Sequence, residues 1–297
     1  MEYAFSQLYV ILGFRRGEAV ASVYALTPDR QERCYQQLFQ LIRDQLTQNF
    51  GNISSINGGV ILVDFERSAI NAFRRVFPEA RLKGCNFHFT QAINRNMQSK
   101  GLSGVYQQSE NLGYNAPQFT SVRVWVRRLI GLTLLPPYFM QGAWQRVLSV
   151  FPHNGDAAVD TLVEAFATYF RKEWLSVEKM NLINHWDNPG PRTTNHAEGH
   201  NNGLRAKFQH LHPRLANFLV TLQEFHNANQ VRCQQLDNGA CPQARGNVWI
   251  MNDAEIVNSK ANFQARIAML DPTNPAYAAT MDAEIIQYLD RIQHLIG

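Results

Sequence analysis

Charge is in short supply in this chain. Only 18% of its 297 residues are Asp, Glu, Lys or Arg, against 45% hydrophobic residues. With no low-complexity tract, that balance excludes disorder as a description and leaves enough apolar mass for one large core or two modest ones. Long hydrophobic runs are lacking too: none approaches the ~18 residues of a membrane helix, so no membrane partner is expected. The opening MEYAFSQLYV has neither a basic n-region nor a cleavage site, so the sequence predicts an intracellular protein, nuclear or otherwise, and not a secreted one. Cysteine is sparse. Cys34, Cys85, Cys233 and Cys241 stand at unrelated spacings and make no disulfide framework, which fits a reducing compartment. Gly-rich phosphate loops, nucleophile elbows and Ser/His/Asp orders are all absent, which removes the commonest nucleotide-binding and acyl-transfer chemistries.

The charge that is present is unevenly spread. Residues 1–100 hold 12 Lys/Arg against 8 Asp/Glu, whereas 233–297 hold 4 against 7. Of the 28 basic residues 22 are Arg, the side chain suited to bidentate phosphate contacts, so nucleic acid is a permitted partner. A solvated basic face is the plainer reading of the same numbers.

The most informative stretch runs from Gly58 to Phe89. Val60–Val63 is long enough for a buried strand, too short for a core helix, and ends on Asp64. A helix follows with Ala69, Phe73, Val76 and Phe77 on one face, and Pro78 stops it. Leu82–Cys85 reads as a second strand, with another helix beginning near Phe87. Strand, helix, strand with a short crossover is a parallel unit whose strands are buried on both faces. A carboxylate at the C-terminal end of such a strand stands where open α/β sheets place their ligands, which makes Asp64 the first functional candidate.

Upstream, Leu8–Leu12, an Arg15-Arg16-Gly17 turn and Ala19–Leu26 predict a hairpin, followed by a helix with Tyr35, Leu38, Phe39, Ile42 and Leu46 on one stripe. Turn residues occupy Asn49–Gly58, and Gln98–Gln118 reads as a polar loop. From Thr120 to about Met180 everything reads as helix, with Trp125, Trp144 and Trp174 packing a core in preference to stacking on bases. The two prolines of WDNPGPRTT break the pattern. Asn195 then caps a helix through NHAEGHNNGLRAKFQ, and a second helix follows His212-Pro213. The fold class is therefore mixed α/β. Residues 1–98 form a sheet domain, 99–190 a helical insertion, 191–232 helices completing the core, and 233–297 a helical tail.

Glu198 is the second acid of interest. Asn195-x-x-Glu198 resembles a capping box, in which the carboxylate serves only its own first turn. A helix-borne acid after a helical insertion also suits a metal site, and spacing alone does not separate the two. Cys85-x-x-His88 straddles a strand end and a helix start. A four-ligand zinc site would have to combine this pair with His196 and His200, which share one helix face. No paired C-x-x-C supports it, and HAEGH is not H-E-x-x-H. Cys85 and His88 read better as hydrogen-bonding neighbours of the acids.

VDFERSAINAFRRVFPEARLKGCNFHFTQAI resembles the central motif of Mutator-like element (MULE) transposases, which pairs an acid-ending strand with a C-x-x-H at the next strand–helix junction. The likeness includes QLYVI and VYALTPDRQERCYQQLF upstream. Downstream it includes LTLLPPYF, YFRKEW and PRTTNHAEGHNNGLRAKFQHLHPRLANFL, so that it covers about residues 6 to 230 and is weaker in QYLDRIQHL. The resemblance implies a ribonuclease H-like sheet and a DDE acid triad. It also implies Mg2+ or Mn2+ held by the acids, and cleavage and strand transfer of DNA at transposon ends. Asp64 matches the second acid, Glu198 the final one, and Cys85 and His88 the supporting C-x-x-H. Arg74, Arg75, Arg127 and Arg128 are the candidate DNA contacts, and a homo-oligomer is allowed.

The departure lies at the N-terminus. The family's first acid stands on a D-G-T-F-like first strand just upstream of the position of Gln7, and no Asp precedes Leu8 here. The expectation is a chain without the first strand and its acid, and therefore without catalytic competence. The alternative is a domesticated, non-catalytic DNA-binding or protein-interaction module on the same fold.

Overall fold

A computed structural model describes residues 5–51, 59–108, 122–150, 152, 156–208 and 213–296. The described elements are strands β1 (Gln7–Arg15) and β2 (Glu18–Thr27), helix α1 (Glu32–Phe50), β3 (Val60–Val63), α2 (Arg67–Val76), β4 (Arg81–Gly84), α3 (Asn86–Ser99) and α4 (Ser103–Gln108). There follow α5 (Val122–Gly131), α6 (Met140–Ser149), α7 (Ala157–Trp174), α8 (Val177–Ile183), α9 (Asn195–Arg205), α10 (Leu215–Asp237), α11 (Asn247–Ala268) and α12 (Tyr277–Ile292). The mixed α/β class is thus as the sequence predicts. No described helix is long and apolar enough to cross a membrane. Most of the expected Asn49–Gly58 turn and residues 109–118 of the expected polar loop lie outside the described residues; residues 98–108 end α3 and form α4.

The chain divides into two compact units, 1–82 with 193–244 and 83–192 with 245–297. The division differs from the sequence reading: α3 falls with the helical insertion, and the tail from 245 falls there as well. Helical segments carry apolar stripes that need a helical partner, and strand–helix order along the chain does not specify which partner is taken.

In the first unit β1 and β2 pair antiparallel with Arg15 opposite Glu18. The two linking residues, Arg16 and Gly17, have φ of 49° and 87°, the left-handed pair that a two-residue hairpin turn requires. The amide of Arg81, opening β4, donates to the carbonyl of Gly59 just before β3, so these two strands start side by side. Among the described residues β1 and β2 form one two-stranded sheet and β3 and β4 another. One apolar cluster serves both. Tyr35 and Phe39 of α1 meet Ala69, Ala72, Phe73 and Val76 of α2, with Tyr9, Ile11, Ile61 and Leu82 packed against them. The expectation of a fully buried β3 is corrected: Val60–Val63 are all half-buried, because β4 is the strand's one described sheet partner.

The second unit is helical around buried aromatics. Trp125, Trp144 and Trp174 are all buried, as the core reading of the tryptophans requires. The Trp125 indole donates to the carbonyl of Val147 at 2.9 Å, and Trp144 stacks on Phe170 at 5.2 Å. Tyr288 of α12 donates to the carbonyl of Leu134 at 2.7 Å. A buried polar knot lies beside this core: His185 bonds the carbonyl of Gly84 and the amide of Asn188, and burial lowers its pKa to about 4.

Candidate functional site

Asp64 stands exposed immediately after β3, where an apolar strand emerges from the α1–α2 layer. The hydroxyl of Thr194 donates to its Oδ1 at 3.0 Å, across 130 residues of sequence. Thr194 is also the cap residue of α9, and its carbonyl accepts from the amide of Glu198 at 3.1 Å. One residue therefore ties the end of β3 to the first turn of the helix that carries Glu198. Because the helix begins at Asn195, Glu198 falls one position beyond the third helical residue that a capping box uses. The capping-box reading of Asn195 and Glu198 is set aside on that geometry. Glu198 is exposed.

A third carboxylate belongs to the same surroundings. Glu66, capping α2, accepts from the phenol of buried Tyr35 at 2.7 Å, and Gln7 accepts from the same hydroxyl at 3.1 Å. Burial raises the Tyr9 pKa to about 12, and the negative charges of Glu66 and Asp64 add to the rise. Burial and the bond to Glu66 push Tyr35 up as well. Both phenols stay protonated at neutral pH, and Tyr35 is the donor to Glu66. Sequence reading missed Thr194, Glu66, Tyr9 and Tyr35. Glu66 could have been found by its position two residues after Asp64. Tyr35 sits on a stripe already assigned to packing, Tyr9 lies within an apolar strand, and nothing local distinguishes Thr194.

Cys85 and His88 belong to the second unit. Cys85 is fully buried at the cap of α3, and its Sγ lies within 4.8 Å of a ring nitrogen of His88. The C-x-x-H spacing thus does place thiol and imidazole together on one helical turn. His196 and His200 do not extend that pair into a larger zinc-type set: among the described residues neither joins a cluster of three or more metal-ligating groups. The His196 ring packs edge-on against Phe14, and the His200 Nε2 lies 3.1 Å from the phenol of Tyr24. Burial lowers the His200 pKa, which favours the neutral imidazole.

The four candidate arginines part company. Arg75 is exposed and 3.5 Å from Glu32; Arg74 is half-buried, and both stand in the last turn of α2, where cations suit the helix dipole. Arg128 is buried and bonds both carboxylate oxygens of Asp290, at 2.6 and 2.8 Å. Arg127 donates to the carbonyls of Gln293 and Ile296. These two guanidiniums hold α5 to the C-terminal end of α12 and the residues after it, which gives both a part in packing within the second unit.

Residues 3–92 match the family model described as the MULE transposase domain. The matched segment takes in β1 to β4 and α1 to α2, with Asp64, Cys85 and His88. Glu198 and the helical insertion lie beyond it. Neither the curated proteins nor the solved structures provide a match to the chain.

The donor set suits a hard divalent cation. Asp64 and Glu198 offer exposed carboxylate oxygens on neighbouring elements of one unit, and Mg2+ commonly takes one or two carboxylates with water and phosphate filling the rest. Two acids suffice for one such ion. A pair of ions that clamps the attacking and leaving oxygens needs more anionic ligands than these.

Proposed function

We propose that the chain is a transposase-type DNA-processing module on a ribonuclease H-like sheet, with Asp64 and Glu198 as two members of a metal-binding acid set. The observation that carries the reading is the Thr194 hydroxyl on Asp64, which ties the end of β3 to the first turn of the helix that bears Glu198. The MULE match over 3–92 supports it from the sequence side. Mg2+ or Mn2+ held there would polarise a phosphodiester and lower the pKa of an attacking water or hydroxyl. Asp64 and Glu198 would supply the oxygens, Thr194 would fix the Asp64 rotamer, and the Glu66–Tyr35 bond would hold the start of α2.

The split of the sheet bears on competence. Among the described residues no strand pairs with the outer edge of β1 or of β3, and a strand carrying a further acid would add at such an edge. With two acids alone, binding of the ion is weak and cleavage by this chain is slow or absent. DNA binding without cleavage is the corresponding second reading, and the separation into two two-stranded sheets favours it.

Both are tested by Mn2+ titration calorimetry and by cleavage of terminal-inverted-repeat duplexes in Mn2+. The expected result is Mn2+ binding weakened at least tenfold by Asp64→Ala with Glu198→Ala, and no cleavage above the metal-only control. Robust cleavage that Asp64→Ala abolishes would overturn the inactive reading. Mn2+ binding indifferent to both substitutions would overturn the metal site itself.

A further inference from the structure

The polar face of α9 continues past Glu198 into a cationic cluster. From Gly199 to Gln223 the sequence contains no Asp or Glu, and it carries Arg205, Lys207 and Arg214. All three are exposed, and among the described residues none of them enters an ion pair. That contrasts with Arg15, Arg43, Arg192 and Arg232, each held by a carboxylate. The rings of Phe208 and Phe218 stack at 5.3 Å with 6° between their planes, joining the end of α9 to the first turn of α10. Lys207 and Arg214 stand on the two chain segments that this stack brings together.

Helix geometry relates the cluster to the acid. Glu198 and Arg205 are seven residues apart, which is about two turns, so they share a face about 10.5 Å apart along the axis. The rest of that exposed face, Asn201 and Asn202, is neutral and rich in hydrogen-bonding groups, and only Leu204 of α9 is buried. A nucleic-acid strand carries one negative charge for about every 3.4 Å of helix axis. A phosphodiester strand that runs along α9 from its acidic end would therefore reach Arg205 within a few nucleotides. Arg suits that phosphate in particular, because its planar fork bonds two oxygens at once.

We propose that Arg205, Lys207 and Arg214 form a DNA-backbone contact that holds the strand flanking the phosphodiester presented to Asp64 and Glu198. The assignment rests on the DNA-processing reading above. It concerns phosphates, so it predicts affinity without base preference.

The test is fluorescence anisotropy with a 30-base-pair duplex in Ca2+, from 50 to 200 mM salt, on the full chain. The triple variant Arg205→Gln, Lys207→Gln, Arg214→Gln is compared with a charge-matched control, Arg171→Gln, Lys172→Gln, Arg291→Gln, also exposed. The cluster variant should lose at least tenfold in affinity at 100 mM salt, with a log–log salt slope shallower by about 2 to 3, at about 0.9 per phosphate contact. The control should stay within twofold of wild type. An equal loss in the control, or an unchanged slope in the cluster variant while wild type binds, would overturn the cluster alone. A duplex RNA that competes tenfold better than the DNA would overturn the DNA assignment. Wild type that binds no DNA at all would overturn both this contact and the reading beneath it. Matching thermal midpoints for the two variants keep a folding defect out of the comparison.

Discussion

Thr194 shows how little of a site a single position reveals. It is the second of two threonines after a proline-rich break, and its hydroxyl donates to a carboxylate 130 residues away instead of accepting from its own helix. Asp64 is legible in the sequence because an apolar run ends on it; Thr194 is not, because its partner exists only once the chain has folded. Thr194→Val keeps the β-branched shape and removes the donor. With both groups near solvent, the loss of stability should be small, about 0.5–1.5 kcal/mol. The effect on the site should be larger: with the Asp64 rotamer no longer fixed, Mn2+ affinity is expected to fall severalfold, and Thr194→Ser should restore it. Calorimetric titration of the two variants checks this. Equal Mn2+ affinity in Thr194→Val and wild type would mean that the bond is only structural.

At the scale of elements, the β1–β2 hairpin is clasped by the C-terminal end of α10. Arg232 bonds both carboxylate oxygens of Glu18, at 2.9 and 2.6 Å, the amide of Gln243 donates to the same carboxylate, and Arg15 grips Asp237. The Arg232 guanidinium holds the Glu18 pKa down at about 2. A lowered carboxylate pKa contributes stability above the unfolded value, near 4.3, and that contribution is lost as pH falls toward 2. In urea unfolding, wild type should therefore be more stable than Glu18→Gln at pH 6, with the gap closing progressively from pH 5 to 2.5. A gap that stays constant over that range would rule the clasp out as its source. Elements of this kind were legible where local pattern decided them: two apolar runs about an Arg15-Arg16-Gly17 turn gave the hairpin, and the 3.6-residue stripe gave α1. Two readings failed for a shared reason. The buried β3 and the capping box at Asn195 were both inferred from neighbours in sequence. Sheet partners settled the first and the true start of α9 settled the second.

Across the whole chain, the count of arginines pointed toward a polyanion without saying which of them would meet it. A guanidinium on a phosphate and one on a structural carboxylate look alike in a composition. The period could have separated them: Trp125, Arg128, Leu129 and Leu132 follow one i, i+3, i+4, i+7 stripe, and all four are buried. A cation on such a stripe belongs to the core and requires an acid, here Asp290. Arg128→Gln should then destabilise the second unit by about 1–3 kcal/mol. This is less than for a fully buried pair, because the Asp290 side chain is 39% exposed and water screens the charge left behind. Its thermal midpoint should fall by several degrees, while the salt slope of DNA binding at permissive temperature stays that of wild type. The Arg205 cluster predicts the reverse, an unchanged midpoint with a shallower slope. Measured side by side, the two variants separate arginines that build the molecule from arginines that meet its partner. A shallower salt slope in folded Arg128→Gln would return that residue to the DNA-contacting set.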